Sequence, residues 1–157
     1  LQEVCVTALN EPLRDMDAEG EPVEEILAYV RRKLEMARDF PRESRLFANE
    51  ILQGAPRMRA AIEGDLRRLV EEKAVVLTRW METGRIARVD PVHLIFSIWA
   101  LTQHYADFDV QVRAVLGPGH DPFAEAGRFI ETVFTRLLDP IHENLTDIAT
   151  EKPLLLR

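Results

Sequence analysis

The chain has 157 residues, enough for one domain with a buried core and too few for two domains of ordinary size. Hydrophobic residues make up 46% of it and charged residues 30%, and its longest apolar stretch (94–101) is too short for a membrane span, which excludes a disordered tail and a membrane protein. The net charge of −7 disfavours direct DNA binding by this chain, and its single cysteine cannot form an internal disulfide, so we expect a cytoplasmic protein.

Prolines and aspartates mark the predicted helix starts along the chain. Residues 1–13 are expected to be the end of a helix, and because the pattern is already under way at Leu1, we expect this chain to be part of a longer protein. Five prolines lie where a missing N–H costs nothing and a fixed φ suits a first helical turn: Pro22, Pro41, Pro56, Pro91 and Pro122. Asp90 and Asp121 directly precede two of these prolines and can cap the free N–H groups, which makes them the firmest boundaries.

Apolar residues recur with a period near 3.6 in each long segment, and strand signals are almost absent. We predict helices over 22–39, 41–53, 57–82, 91–116 and 122–138, with Gly64 bending the third. These helices predict one all-α antiparallel bundle over residues 14–139. The tail over 140–157 is weakly patterned and is expected to fray.

The last two long helices are apolar on more than one side, which the core of a single domain of this size does not require. The simplest interpretation is a homodimer built on these helices. The predicted interface residues are Phe129, Ile130, Val133, Phe134 and Leu137. The alternative is that Phe129 and its neighbours cover the domain's own core.

The densest polar cluster on an apolar background lies in the fourth predicted helix. It contains Trp99, Thr102, Gln103, His104, Tyr105 and Asp107. Trp99 and Gln103 are one turn apart on the same helix face, so an aromatic wall and an amide would point into one space. Such a pair suits a small planar ligand with a lactam or imide edge. The alternative is a core tryptophan beside a glutamine that bonds a neighbouring backbone carbonyl.

Metal binding and catalysis have weak support in the sequence. His104 and Asp107, three residues apart, are at most half of a metal site or a base with its orienting carboxylate, and the other histidines show no supporting spacing. No nucleophile motif, phosphate-binding loop or dinucleotide fingerprint is visible. We therefore expect no metal, no cofactor and no enzymatic activity. The basic residues between 57 and 88 are interpreted as a solvated helix face rather than a nucleic-acid interface.

Three stretches of sequence carry a resemblance to a known family. They are Asp-Phe-Pro-Arg-Glu-Ser-Arg-Leu-Phe (39–47), Glu-Ile-Leu-Gln-Gly-Ala-Pro (50–56) and Asp-Pro-Val-His-Leu-Ile-Phe-Ser-Ile-Trp-Ala-Leu-Thr-Gln-His-Tyr-Ala-Asp-Phe (90–108). Together they resemble the C-terminal regulatory domain of TetR-family repressors, in particular the group that regulates pyrimidine use. The resemblance covers residues 12–138 approximately.

This resemblance implies a bacterial transcription regulator whose helix-turn-helix domain lies N-terminal to Leu1, outside this chain, and binds operator DNA. Such domains dimerise through their last two long helices in a four-helix bundle and hold an effector between the long helices. Effector binding favours one of two dimer geometries and so changes the separation of the DNA-reading domains. In the pyrimidine group the effector is uracil or thymine, and Trp99 and Gln103 occupy the motif positions of a tryptophan and a glutamine.

The chain departs from that group at the expected pocket wall. Leu9 stands where a tryptophan is expected, and Ala48 and Asn49 stand where a cysteine and a methionine are expected. Asn49 would add a hydrogen-bonding group to the wall. The predicted ligand-binding residues are Trp99, Gln103, Asn49, Leu9 and Tyr105. Two other functions stay open: a helical protein-interaction scaffold without a small-molecule ligand, and a helical enzyme acting through His104 and Asp107.

Overall fold

The computed structural model describes residues 2–141, and the side chains from residue 7 onward, as a bundle of helices. No strand occurs within that range, and the predicted all-α fold is confirmed. The helices are α1 (Gln2–Arg14), α2 (Pro22–Asp39), α3 (Pro41–Leu52), α4 (Arg59–Ala61), a π-helical segment (Ile62–Leu66), α5 (Arg67–Glu82), α6 (Pro91–Asp107), α7 (Asp109–Leu116) and α8 (Pro122–Leu137). Nearly all of the tail predicted over 140–157 lies outside the described residues.

The helix ends follow local sequence signals. The Asp90 carboxylate accepts a hydrogen bond from the backbone N–H of His93 at 2.9 Å, and the Asp121 carboxylate accepts one from Ala124 at 3.2 Å. Both aspartates therefore cap the first turn of a helix, as their positions before proline predict. Gly84 follows α5 with a φ of 73°, a conformation that other residues adopt only with strain.

Two predicted helices differ from the observed ones. The helix predicted over 57–82 starts at Arg59 and contains the π-helical segment around Gly64. The prediction of a single helix over 91–116 is wrong. The helix is interrupted at Phe108, where φ is −114° and ψ is 30°. The chain resumes as α7 at Asp109, and the Phe108 ring stacks on His104 with centroids 5.1 Å apart.

Helix α2 lies at the centre of the bundle, in contact with α1, α6 and α8. Helices α3 and α5 both pack against α6, so α6 is also covered on several sides. The largest fully buried side chains include Trp80, Phe134, Leu13, Ile26, Leu77, Ile86, Ile95, Ile130 and Leu138. The core therefore draws on helices from both ends of the described chain, while α3 lies outside it and packs on α6.

Helix α8 carries two apolar stripes that face different surroundings. Ile130 and Phe134 are fully buried in the chain's own core, so their prediction as dimer-interface residues is wrong. Phe129 is 60% exposed and Leu137 is 42% exposed, with the partly buried Val133 one turn from each. The outer stripe of α8, defined as Phe129, Val133 and Leu137, is the part of the predicted interface that this chain leaves at its surface.

Candidate functional site

A groove with a cavity volume of about 550 Å³ opens between α3, the π-helical segment and α6. Its lining residues are Arg45, Phe47, Ala48, Asn49, Ile51, Leu52, Ile62, Leu66, Trp99, Gln103, Asp107 and Phe108. This volume lies in the range of about 300 to 1,000 Å³ that small-molecule sites occupy. The lining is mostly apolar with a few polar groups, a composition that fixes the orientation of a small ligand.

One face of α6 forms a wall of this groove. Trp99, Gln103 and Asp107 follow one another at intervals of four residues, so they line up along the helix and all three border the groove. The sequence predicted the pairing of Trp99 with Gln103. From the sequence, Asp107 is considered only as a partner of His104. Its spacing of four residues from Gln103 is the signal that could have placed it at the groove.

A hydrogen bond to the core holds the Trp99 indole in place. Its Nε1 donates to the Tyr29 hydroxyl at 2.7 Å. Tyr29 is only 4% exposed, and burial raises the pKa of its hydroxyl, so the phenol stays protonated. With its N–H occupied, Trp99 offers the groove a fixed aromatic surface instead of a hydrogen-bond donor.

The two amide side chains of the groove are without protein partners. Neither Gln103 nor Asn49 makes a side-chain hydrogen bond to any residue that the structure describes, so the alternative in which Gln103 bonds a backbone carbonyl does not hold. Gln103 is partly buried on α6, and Asn49 is exposed on α3 across the groove. Each amide can offer both donors and an acceptor to a bound molecule.

The end of the groove beside α7 is charged. The Asp107 carboxylate accepts a hydrogen bond from the Ser44 hydroxyl at 2.6 Å, and Arg45 Nη1 donates to the backbone carbonyl of Ala106 at 3.1 Å. Lys33 of α2 is 4% exposed and interacts electrostatically with Asp107. Burial lowers the pKa of Lys33 from 10.5 to about 8, and the attraction of Asp107 opposes that change.

Two of the predicted ligand-binding residues do not border this groove. Leu9 lies on α1, whose contacts are with α2 and α5, and it is absent from the groove lining. Tyr105 packs against Phe123 of α8, with ring centroids 6.4 Å apart. It is turned away because residues two apart on a helix face different sides, as Gln103 and Tyr105 do. The structure therefore does not bring Leu9 and Tyr105 together with Trp99 and Gln103 in this groove.

A second cavity of about 640 Å³ lies between α1 and α5. Its lining is mostly polar or charged and includes Asn10, Arg14, Asp65, Arg68 and Glu72. Leu66 of the π-helical segment borders both cavities, so this segment separates the groove from α1.

The hypotheses of a metal site and of catalysis gain nothing from the structure. Among residues 2–141 there is no cluster of three or more His, Cys, Asp or Glu side chains that could hold a metal ion. The His104 ring packs on Tyr105 and Phe108, while Asp107 bonds Ser44, so the two do not act as a base with its orienting carboxylate. No helix in the same range is long and apolar enough to cross a membrane.

Comparison with known proteins gives the class to which this fold and groove belong. Residues 1–141 match the family model TetR_C_3, described as the C-terminal region of YcdC-like proteins. The chain therefore belongs to this family of C-terminal domains of TetR-type transcriptional regulators, and the resemblance found in the sequence is confirmed.

Curated relatives agree with this family assignment. The chain is 48% identical over 106 residues to the HTH-type transcriptional regulator RutR of Escherichia coli strain K12, and equally to RutR of Shigella flexneri. These alignments cover 68% of this chain and 50% of each relative, so the chain spans about half the length of the curated relatives it matches. The relatives are named as transcriptional regulators, the class of protein that the sequence resemblance predicts.

Proposed function

We propose that this chain is the effector-binding and dimerisation region of a cytoplasmic TetR-type repressor, and that its effector is a pyrimidine such as uracil or thymine. The observation that carries the proposal is the groove in which a fixed indole and two amides that bond no described residue surround one space. Operator DNA is bound by a domain outside this chain, in keeping with the net charge of −7.

The chemistry of a pyrimidinedione matches these groups. Its ring is flat and can stack on the Trp99 surface, and its edge alternates N–H donors with carbonyl acceptors that a carboxamide can meet in pairs. A ligand that lacks one of these groups would leave an amide unsatisfied in a largely apolar groove, which costs about 1 to 3 kcal/mol. The partly buried Gln103 therefore discriminates between close analogues, while the exposed Asn49 adds a hydrogen-bonding group at the rim.

The position of the groove also suits a regulator. Ile62 and Leu66 border it from the π-helical segment, and Leu66 in turn borders the cavity next to α1. Irregular helical turns of this kind occur often at functional sites. A ligand that prefers one arrangement of this segment would shift the position of α1, which leads toward the start of the chain.

The test of this proposal is the thermal unfolding of the protein with a panel of pyrimidines, purines and amino acids. A ligand that binds only the folded state raises the unfolding midpoint by an amount that grows with the logarithm of its concentration divided by its Kd. We expect uracil or thymine to raise the midpoint and amino acids to leave it unchanged. No increase with any pyrimidine would contradict the proposed effector class while leaving the family assignment intact.

Replacing Gln103 by alanine is expected to weaken uracil binding by roughly 5- to 150-fold, the loss of about 1 to 3 kcal/mol that follows a missing hydrogen-bond partner. The stability of the free protein should change little, since the amide bonds no described residue. Isothermal titration calorimetry measures the affinity. Gln111→Ala, on the exposed face of α7, is the matched control and should bind uracil like the wild type. Equal affinities in both variants would remove Gln103 from the site.

Homodimerisation is proposed through the outer stripe of α8, which this chain leaves at its surface. Exposed apolar side chains at successive turns are typical of a helix that packs against a partner helix. Phe129→Glu is expected to convert a dimer into a monomer, because it places a charge in a dry interface.

Sedimentation equilibrium measures this change of oligomeric state. Val75→Glu is the matched control, since Val75 is also 60% exposed but lies on α5, which is not part of the proposed interface. A wild-type chain that is monomeric and binds no pyrimidine would favour the alternative, a helical scaffold that recruits a different protein.

A further inference from the structure

Asp107 lies at the charged end of the groove beside α7, one turn beyond Gln103 on the same face of α6. Ser44 donates to its Oδ1 at 2.6 Å, and its Oδ2 has no hydrogen-bond partner among the residues that the structure describes. We propose that Asp107 is a specificity-determining residue that accepts a hydrogen bond from an N–H group of the effector. The proposal deepens the pyrimidine function proposed above and rests on it.

The surroundings of Asp107 hold the carboxylate in one orientation. Ser44 is 7% exposed and reaches it from α3, and the charge of Lys33, which is 4% exposed on α2, attracts it. Ser44, Lys33 and the fully buried Thr102 are the buried polar side chains of the described chain, and Thr102 is satisfied by the carbonyl of Ile98 within its own helix. Ser44 thus bonds this carboxylate directly, and Lys33 interacts with it through its charge.

The contacts of Asp107 within the chain use only part of its carboxylate. An ion pair buried for stability contributes little unless both partners are fully hydrogen-bonded, and Lys33 makes no hydrogen bond to a described residue. Ser44 uses one oxygen of Asp107, and the second remains for a molecule in the groove. The arrangement is that of a binding group supported by a hydroxyl and a cation.

The ligand that fits has an N–H group next to a carbonyl in one plane. Its N–H donates to the Asp107 carboxylate, and its carbonyl accepts from the Gln103 amide one turn away on α6. A ligand with only acceptors at this edge would instead place lone pairs against a carboxylate, which is repulsive. Uracil meets the requirement, while 1,3-dimethyluracil keeps the ring and both carbonyls but has no N–H.

The experiment is calorimetric titration of uracil and of 1,3-dimethyluracil into the wild type, Asp107→Asn and the matched control Asp109→Asn. Asp109 pairs with Arg113 on α7 and does not border the groove. We expect the wild type and Asp109→Asn to bind uracil at least roughly 10-fold more tightly than the dimethyl compound. Asp107→Asn should lose most of this preference, through weaker uracil binding, because the amide presents a donor where the ligand N–H requires an acceptor.

The outcomes separate this inference from the proposed function. An unchanged preference in Asp107→Asn, or a wild type that binds the two compounds equally, overturns the role of Asp107 and leaves a pyrimidine effector in place. A wild type that binds neither compound overturns the pyrimidine assignment, and the inference with it. If Asp107→Asn does not fold, Ser44→Ala replaces it, and the preference for uracil should fall in that variant as the carboxylate loses its fixed orientation.

Discussion

Replacing Phe134 by alanine is expected to lower the free energy of unfolding by about 3 to 5 kcal/mol, a large part of the stability of a domain of this size. Phe134 is fully buried, as are Ile130 and Leu138 one turn to either side. Truncation of the ring removes its transfer free energy and leaves a cavity between α8 and the helices that pack on it. Urea unfolding followed by circular dichroism measures the change.

The matched control is Phe129→Ala, which removes the same ring from the outer stripe of the same helix. Phe129 is 60% exposed, so the stability of the single chain should change by no more than about 0.5 kcal/mol. Both variants are unfolded at several protein concentrations, because a dimer adds a concentration-dependent contribution to apparent stability. Equal losses at the lowest concentration would contradict the assignment of Phe134 to the core and Phe129 to the surface.

These two phenylalanines show where periodicity stops being informative. The buried Ile130 and Phe134 and the exposed Phe129 and Leu137 each recur at multiples of four residues, so both sets satisfy the pattern of a helix face. The packing of α2, α6 and α7 against α8 decides which stripe points inward. The sequence predicted a wide apolar arc correctly and could not assign its two halves.

Local signals gave the helix starts, since a capping aspartate before proline acts within one turn. Asp90 and Asp121 cap α6 and α8 as predicted. The interruption at Phe108 has no such signal, because neither glycine nor proline stands there and the residues on both sides have ordinary helical patterns. At this point the chain meets contacts from α3, where Ser44 bonds Asp107 and Arg45 bonds the Ala106 carbonyl.

The groove was predictable to the extent that it depends on one helix. Trp99 and Gln103 share a face of α6 whatever the fold, and the structure places both at the groove together with Asn49. The approach of Ser44 and Lys33 to Asp107 joins residues far apart in the chain, which spacing cannot show. Leu9 was expected at the groove from its position in the resemblance, and the packing of α1 places it elsewhere.

The free energy of unfolding is expected to rise by roughly 3 kcal/mol between pH 8 and pH 10.5 through the titration of Lys33. Burial lowers the pKa of this ammonium group from 10.5 to about 8 in the folded chain, and in the unfolded chain the group has its ordinary value. Between these two values the unfolded chain binds the proton and the folded chain does not. Raising the pH therefore favours the folded state, and lowering it below 8 removes this contribution.

Urea unfolding at a series of pH values in this interval tests the prediction with Lys33→Met and Lys33→Arg. Methionine has no proton to lose, and a guanidinium stays protonated throughout, so both variants should lack the rise that the wild type shows. At each pH, the free energy of unfolding of either variant is subtracted from that of the wild type. This removes the contribution of every other titrating group, so the remaining pH dependence is specific to Lys33. A rise of the same size in all three proteins would mean that Lys33 does not lose its proton in the folded chain, and that the positive charge behind Asp107 is constant over this range.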